Sequence, residues 1–464
     1  MSPEFAFLPV RELARRIRSG ETRPLELTEY FLDRLGRLGP AYNALVTLTR
    51  ERALREAAEA EAELRAGRDR GLLHGIPYGA KDLLAAAGYP TTWGAAPFRD
   101  REFDYDATVI SRLREAGAVL VGKLATVELA GGMGYTQPNA AFTGPGKNPW
   151  NPEFWSGGSS NGPGSAVAAG LVPFALGTET WGSIITPSAF CGVCGLRPTY
   201  GRVSRFGAMP LSWSLDKIGP MGLTADDCGI ILAALAGRDP RDPTTVDRPF
   251  RWDLPDRTEG FRVGVLKGSA ENAQPEVARN FEASLRVLGT FCRLEDVELP
   301  EFPFNEIAST ILFAEAGSIF EEFITSGRVG ELTAPEDRYR PYAYLVVPAR
   351  DYLRALRLRK KAVRALNDLF SRYDAVVSPS RLTVAGRIDQ DFRTYMPPRT
   401  AGVPISAAEN VAGLPGVSVP NGFGQNGLPT GIQFTGAAFS EDRILAVAHA
   451  YQLRTDWHRR HPAV

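Results

Sequence analysis

Short apolar runs alternate with amphipathic helical patterns along this chain, and the alternation limits the folds that it can adopt. Strand-like runs occupy residues 116–124, 261–266 and 374–380. Helical patterns cover residues 24–38, 51–67 and 275–289. Because strands that alternate with helices form sheets covered by helices, we predict an α/β protein with a largely parallel or mixed β-sheet.

Composition excludes several classes of protein. The formal net charge of zero removes the electrostatic argument for nonspecific binding to nucleic acid or to an anionic membrane. The basic stretch at 354–366 has helical spacing, so a solvated helix face explains it most simply. Cys191 and Cys194 form a CxxC without a second pair at zinc-site spacing, so we predict no metal. Without an apolar run of 18 residues or a secretory signal, we expect a cytoplasmic protein with no membrane or nucleic-acid partner.

Two glycine-flanked serines, Ser159 and Ser183, bracket an apolar segment in GGSSNGPGSAVAAGLVPFALGTETWGS at 157–183. Glycine beside a serine permits backbone conformations closed to other residues and lets a substrate carbonyl approach main-chain N–H groups closely. An acyl-transfer site needs both properties. Flexible loops are also rich in glycine and serine, so this stretch by itself does not identify such a site.

A serine nucleophile needs a base, and the chain offers few histidines for that role. Three of the four histidines lie within the last sixteen residues, and only His74 lies near glycine-rich sequence. The chain has only seven lysines among its 53 Lys plus Arg. Lys81 lies in the apolar, glycine-containing LLHGIPYGAKDLLAAAG at 72–88, which predicts partial burial and a lowered pKa. The structural alternative is a lysine paired with Asp82 or reaching the surface.

Five separated segments resemble the amidase signature family and follow that family's order along nearly the whole chain. They are GIPYGAKD at 75–82, GGSS at 157–160, GSIITPSAFCGVCGLRPTYGRVSRFG at 182–207, LDKIGPMGLTADD at 215–227 and GLPGVSVPNGFGQNGLPTGIQFTG at 413–436. The resemblance implies one domain with a central mixed β-sheet flanked by α-helices. Its expected segments are N-terminal helices at 1–70, a signature core at 71–227, a variable specificity region at 228–400 and a C-terminal core segment at 401–464.

The resemblance also implies a Ser-Ser-Lys triad. Ser183 would be the nucleophile, Ser159 a bridging serine that follows a cis peptide bond, and Lys81 a base that begins neutral. The backbone N–H groups that match the family's oxyanion hole belong to Thr180, Trp181, Gly182 and Ser183. The residues that match its acyl-pocket segment are Met133, Gly134 and Tyr135.

Five residues depart from the family's pattern. Trp181 replaces a glycine, Ile185 an arginine and Glu179 an aspartate, while Asn161 and Pro163 interrupt the usual GGSSGGS run. Loss of the arginine removes a carboxylate clamp, and an indole favours a flat or apolar partner. We therefore add Trp181 and Ile185 to the predicted substrate pocket and expect a neutral acyl substrate. The alternative is that both side chains repack the core behind the serine.

The predicted function is hydrolysis of a C–N acyl bond in an amide, anilide or carbamate with a neutral acyl part, with possible esterase or urethanase side activity. The expected partner is a small-molecule substrate, no cofactor is required, and the protein is a possible homodimer. One alternative is the amidase-like subunit of a tRNA-dependent amidotransferase, which works with partner subunits. Another is an inactive binding or scaffold protein whose site is filled by Trp181.

Overall fold

A mixed β-sheet runs through the computed structural model, which describes residues 5–396 and 404–464. The helices are α1 (Val10–Ser19), α2 (Pro24–Leu38), α3 (Arg50–Arg65), α4 (Thr108–Glu115), α5 (Asn161–Ala168), α6 (Ile185–Cys191), α7 (Ala225–Leu235), α8 (Pro275–Leu288), α9 (Phe304–Ile319), α10 (Glu321–Thr325), α11 (Ala349–Phe370), α12 (Pro404–Ala412) and α13 (Glu441–Gln452). The strands are β1 (Leu45–Leu48), β2 (Pro77–Lys81), β3 (Val119–Leu124), β4 (Lys147–Asn148), β5 (Asn151–Trp155), β6 (Ala175–Glu179), β7 (Cys194–Arg197), β8 (Lys217–Gly222), β9 (Phe261–Leu266), β10 (Cys292–Val297), β11 (Ala375–Pro379), β12 (Gly416–Phe423) and β13 (Pro429–Thr435).

Eleven strands of the described residues form one sheet, in the order β1, β3, β2, β6, β8, β7, β12, β13, β11, β9, β10. Strand β2 runs parallel to β3 and β6, and β9 runs parallel to β10 and β11. The other neighbouring pairs are antiparallel. Helices pack on this sheet, as α3 does on β3, α7 on β8 and α13 on β12. The predicted α/β fold with a mixed central sheet is therefore confirmed.

Several predicted elements form within one or two residues of their expected bounds. Helix α2 spans Pro24–Leu38 and strand β9 spans Phe261–Leu266, as their patterns predict. The strand predicted at 116–124 begins later, at Val119, because Gly117 adopts a positive φ of 82° and ends α4. The basic pattern at 354–366 lies within α11, whose buried residues, among them Ala362 and Leu366, occupy one side. Its basic residues therefore belong to a helix, as expected.

The two serine loops lie where the centre of the sheet meets two short, buried helices. Strand β6 leads into the turn of Ser183, which α6 follows, and α5 follows Ser159. All residues of α5 are buried. A Cβ added at Gly162 would lie 2.4 Å from the backbone nitrogen of Ala125, so only glycine permits this close approach. The small residues of α5 thus let the Ser159 loop pack against β3 and against β2, which carries Lys81.

None of the helices in residues 5–396 and 404–464 combines the length and the apolar composition that crossing a membrane requires. The variable region predicted at 228–400 contributes β9, β10 and β11 to one edge of the sheet and α8 to α11 around it. The expected boundary between residues 400 and 401 lies outside the described residues. The division of the chain into segments stays a prediction.

Candidate active site

Lys81 is the last residue of β2, a central strand between β3 and β6, and its side chain is fully buried. Its Nζ lies 2.7 Å from Ser159 Oγ and 2.8 Å from Thr178 Oγ1. The carboxylate of Asp82 pairs with Lys123 instead, with Asp82 Oδ1 2.7 Å from Lys123 Nζ. The alternative in which Asp82 pairs with Lys81 is therefore wrong. The lysine predicted as a base therefore ends among hydroxyl groups.

The surroundings of Lys81 favour a neutral amine. Burial holds the pKa of Lys81 well below its ordinary value, while the nearby carboxylates of Asp216 and Glu179 oppose part of that shift. A neutral amine has the lone pair that proton abstraction requires, whereas an ordinary lysine is protonated near neutral pH. The buried position thus suits Lys81 to act as a base.

Ser159 follows a cis peptide bond from Gly158, as the resemblance implies, and it is 1% exposed. Its carbonyl oxygen accepts a hydrogen bond from the Val127 N–H at 3.1 Å, which fixes the loop from the other side. The Ser159 hydroxyl thus lies in the interior, 2.7 Å from Lys81 Nζ.

Ser183 lies in the turn between β6 and α6, and it is only partly buried. Its carbonyl oxygen accepts a hydrogen bond from the Ser160 N–H at 3.3 Å, so the two serine loops are joined directly. Gly182 before it has a φ of 88°, a conformation that favours glycine. The structure thus places Lys81 and Ser159 in the interior and Ser183 closer to solvent, the order that a relay to a substrate requires.

Glu179 fixes the start of the helix that follows Ser183. One of its carboxylate oxygens accepts hydrogen bonds from the Ile184 and Ile185 N–H groups at 2.8 and 3.0 Å. The other lies 2.8 Å from a guanidinium nitrogen of Arg197. Burial opposes its ionisation, but Arg197 and Lys217 outweigh burial and lower the pKa of Glu179 to about 2. The aspartate-to-glutamate departure therefore keeps an ionised group that orders the turn.

The predicted pocket residues occupy varied positions. Met133 and Ile185 are buried, at 0% and 3% exposure, whereas Trp181 is partly buried and packs against an apolar cluster that includes Leu215. Gly134 accepts a hydrogen bond from Arg340 through its carbonyl oxygen. Tyr135 packs edge-on against Trp155, which precedes the Ser159 loop by a few residues. Their contact with a substrate stays a prediction.

A cavity of about 200 Å³ reaches Thr178, whose hydroxyl contacts Lys81. Its wall includes Thr178, Thr180, Leu211, Trp213, Asp216 and Lys217. None of the predicted pocket residues belongs to this wall. The residues that line this cavity were therefore not indicated by the sequence patterns.

Sequence reasoning missed Thr178 and Lys217. Nothing in the pattern around Thr178 marks it, because its role depends on the pairing of β6 beside β2. The sequence around Lys217, in contrast, does indicate a buried lysine. It is one of seven lysines in an arginine-rich chain, and LSWSLDKIGPMG at 211–222 is apolar and glycine-containing, like the surroundings of Lys81. The same criterion that selects Lys81 would have selected Lys217.

Comparison with known proteins gives consistent matches over nearly the full length. The family model described as Amidase matches residues 26–445. The glutamyl-tRNA(Gln) amidotransferase A subunit from Methylococcus capsulatus is 38% identical, covering 97% of this chain and 98% of that protein. The structure of native peptide amidase from Stenotrophomonas maltophilia has a TM-score of 0.85 at 33% identity, covering 100% of this chain and 99% of that one.

A further solved structure has a TM-score of 0.89 at 30% identity and covers 96% of this chain and 98% of that one. It is described as a vestigial protein complex that reveals the evolutionary origins of an s-triazine catabolic enzyme. The similar proteins thus include both one component of an amidotransferase and an amidase.

Proposed function

Because this chain belongs to the amidase family, we propose that it cleaves a C–N acyl bond through an acyl-enzyme on Ser183, with Ser159 as the proton relay and Lys81 as the base. One observation carries the proposal. The buried Lys81 Nζ, whose pKa is held well below the ordinary value, lies 2.7 Å from Ser159 Oγ. Lys123, by contrast, is paired with the carboxylate of Asp82, the kind of partner that favours a charged amine in the interior.

The proposed reaction begins when Ser183 Oγ attacks the carbonyl carbon of the substrate. Its proton passes to Ser159 Oγ as the Ser159 proton passes to Lys81 Nζ, so the relay ends with a protonated lysine. The substrate oxygen gains negative charge in the tetrahedral intermediate. Backbone N–H groups of residues 180–183 are the proposed donors to that oxygen, and such donors each contribute about 2.7–4 kcal/mol in comparable sites.

The relay then runs in reverse. Lys81 returns its proton to Ser159, which protonates the departing nitrogen as the C–N bond breaks, and an acyl-enzyme remains on Ser183. Water attacks the acyl carbon after losing its proton to the same relay, and Ser183 leaves with a proton as the acid forms. One base thus serves acylation and deacylation without a second titrating side chain.

The fate of the released nitrogen separates two candidate functions. The curated relatives favour the amidotransferase component, because proteins with that name are 35–38% identical over nearly the whole chain. In that role the chain would cleave an amide and supply ammonia to partner subunits. This candidate now has stronger support than an amidase that works alone.

The second candidate is an amidase for substrates with a neutral acyl part. Two observations favour it. Ile185 places an apolar side chain in the interior where the family has an arginine, and Trp181 lies against the apolar cluster that contains Leu215. Neither side chain carries the positive charge with which an arginine would pair with a substrate carboxylate. The peptide amidase structure, at 33% identity over the full chain, shows that a similar sequence occurs in an amidase.

Labelling with a fluorophosphonate tests the shared chemistry. The purified chain should form one adduct, which peptide mass spectrometry locates on Ser183, and Ser183→Ala should form none. Ser212→Ala is a matched control, because this buried serine lies outside the relay, and it should retain the adduct. An unlabelled Ser183 together with no amide turnover would support the inactive binding protein instead.

Substrate assays separate the two candidates. Protein that forms the adduct should be tested on aryl amides, aliphatic amides, carbamates, esters and glutamine, alone and with candidate partner subunits. Glutamine cleavage that appears only with partners supports the amidotransferase component. Turnover of neutral amides by the chain alone supports the amidase, and Trp181→Gly should then change the ratio of aryl to aliphatic turnover by about tenfold.

A further inference from the structure

Three of the seven lysines are buried, and the third of them, Lys217, lies beneath the turn that leads to Ser183. It is the first residue of β8, directly opposite Glu179 on the antiparallel strand β6, and it is 2% exposed. Nothing in the proposed relay uses this amine. A buried lysine is costly unless its polar atoms are satisfied, so its contacts indicate what it does.

Lys217 holds the carbonyl group of the residue that begins the proposed oxyanion segment. Its Nζ donates to the Thr180 carbonyl oxygen at 3.3 Å and to Asn410 Oδ1 at 2.7 Å. The neighbouring Asp216 accepts a hydrogen bond from the Thr180 hydroxyl at 2.6 Å. Two consecutive residues therefore fix the backbone and the side chain of Thr180.

The Thr180 carbonyl and the Trp181 N–H belong to one peptide group. A peptide group is planar, so a donor that fixes its oxygen also fixes the direction of its N–H. A cationic donor polarises the group as well, because hydrogen bonds in series strengthen one another in a low-dielectric interior. An amine on the Thr180 oxygen therefore orients the Trp181 N–H and makes it a stronger donor on the opposite side.

We propose that Lys217 is a positioning residue that aims and polarises the Trp181 N–H toward the oxygen of the tetrahedral intermediate, acting through the Thr180 carbonyl group. The inference rests on the proposed acyl transfer at Ser183, because only that reaction places negative charge at this N–H. The proposal gives a second buried lysine a part in the reaction, and this lysine needs the opposite charge state from Lys81. Lys81 works as a neutral amine, whereas Lys217 works best as a cation.

Several charged side chains lie close to Lys217. Glu179 faces it from β6, Arg197 from β7 and Arg359 from α11, next to the adjacent Asp216. Arg197 is itself paired with Glu409 of α12. Arg205, Arg241 and Asp242 lie on the wall of the same cavity. Burial lowers the pKa of Lys217 to about 7, although Glu179 and Asp216 favour the cation. The proposed polarisation therefore weakens as the pH rises through about 7.

Steady-state kinetics of Lys217→Met and Lys217→Gln test the proposal on an amide that the wild type hydrolyses. Methionine removes the donor, so kcat should fall about tenfold, less than the roughly 100-fold typical for loss of an oxyanion donor itself, while KM stays unchanged. Glutamine keeps a neutral donor and should restore about a third of the wild-type kcat. Lys267→Met makes the same change at an exposed lysine and should leave kcat unchanged.

The pH profile gives a readout that a purely structural lysine would not affect. In the wild type, deprotonation of Lys217 reduces kcat on the alkaline side of about pH 7. Lys217→Gln has no such group, so that alkaline decrease should disappear while the acidic decrease from Lys81 remains. Thermal unfolding shows whether each variant is folded, and titration with the fluorophosphonate counts the molecules with a reactive Ser183. Dividing kcat by this count separates a kinetic defect from a folding defect.

Wild-type kcat in Lys217→Met, or an alkaline decrease that persists in Lys217→Gln, would overturn the proposal. A lower melting temperature with unchanged kcat per titrated site would assign Lys217 to stability alone and would overturn it too. Failure of the proposed function looks different, because Ser183→Ala would then retain turnover or the wild type would have none. Ser183→Ala is therefore measured in the same series.

Discussion

The ends of two neighbouring strands, β2 and β3, each bury a lysine, and they give it opposite surroundings. Lys81 lies among the hydroxyls of Ser159 and Thr178, whereas Lys123 binds the carboxylate of Asp82 at 2.7 Å and the hydroxyl of Thr91 at 2.9 Å. Both are fully buried, and burial lowers the pKa of both, well below the ordinary value for Lys81.

The strand register explains the difference. Lys123 pairs with Ala80 and Leu124 with Lys81, so the two lysines point to opposite faces of the sheet. Asp82 follows Lys81 by one residue and therefore points to the side of Lys123. Burial alone therefore does not make a lysine a base. Among the described residues no carboxylate forms an ion pair with Lys81, so Asp216 and Glu179 oppose only part of the lowering of its pKa by burial.

The largest expected effect is the loss of turnover in Lys81→Met. Methionine has a similar volume but no lone pair that can accept the Ser159 proton, so kcat/KM for an amide should fall at least about 10³-fold. Circular dichroism should show an unchanged fold. Steady-state assays at saturating and limiting substrate measure the loss, and turnover within tenfold of wild type would contradict the role of base.

Lys123→Met should damage stability instead. It leaves the Asp82 carboxylate buried without its cation, which costs about 3–5 kcal/mol of the free energy of unfolding. Denaturant unfolding measures this change. The double variant Lys123→Met with Asp82→Asn removes both charges and should recover most of the lost stability, and failure to recover would mean that packing, not the stranded charge, causes the loss.

Lys81→Met should stabilise the protein, the opposite of Lys123→Met. Between the folded-state pKa of Lys81 and its ordinary value of 10.5, the unfolded chain binds a proton that the folded chain does not, so wild-type stability rises with pH. Methionine has no proton to lose, so near pH 7 the variant should have a higher free energy of unfolding than the wild type. The gain should shrink toward pH 10, as urea titrations at several pH values would show. A constant difference would argue against a neutral Lys81.

The smallest expected effect distinguishes the two hydroxyls that contact the lysines. Thr178 Oγ1 accepts from Lys81, and an acceptor favours the charged amine, so Thr178→Val should lower the pKa of Lys81. The acidic limb of kcat/KM should move to lower pH by less than about one unit. Thr91→Val removes the matching acceptor of Lys123 and should leave that limb in place. Equal shifts in both variants would indicate an indirect effect.

Much of the fold could be predicted from local pattern. Neighbouring residues alone predict helix α2 (Pro24–Leu38) from its amphipathic spacing and strand β9 (Phe261–Leu266) from its apolar run. The expected bounds therefore agree with the observed ones. Strand β6 carries Thr178 beside Lys81 only because β6 pairs with β2. Contacts between residues almost a hundred positions apart have no local signal, so Thr178 was missed.

The candidate site divides in the same way. The glycine-flanked serines and the scarcity of lysine and histidine draw attention to Ser159, Ser183 and Lys81, and the family resemblance implies that they form a triad. The structure brings Lys81 and Ser159 within hydrogen-bonding distance. The cavity wall was not predicted, because it combines residues of β6 and β8 with Leu211 and Trp213 from the segment before β8. The burial of Trp181 and Ile185 could not be predicted for the same reason. Trp181 is partly buried and Ile185 is almost completely buried, and both values depend on packing from other elements.

The chemical groups available to this protein can be read directly from its sequence: two serines beside glycines, few histidines, and seven lysines among many arginines. The packing of the chain sets which lysine lies beside the Ser159 hydroxyl, which one is paired with a carboxylate, and which one contacts the Thr180 carbonyl oxygen. This division arises because a pKa depends on burial and on charges that the fold brings close. Residue type sets the ordinary value, and the packing of distant strands sets the shift.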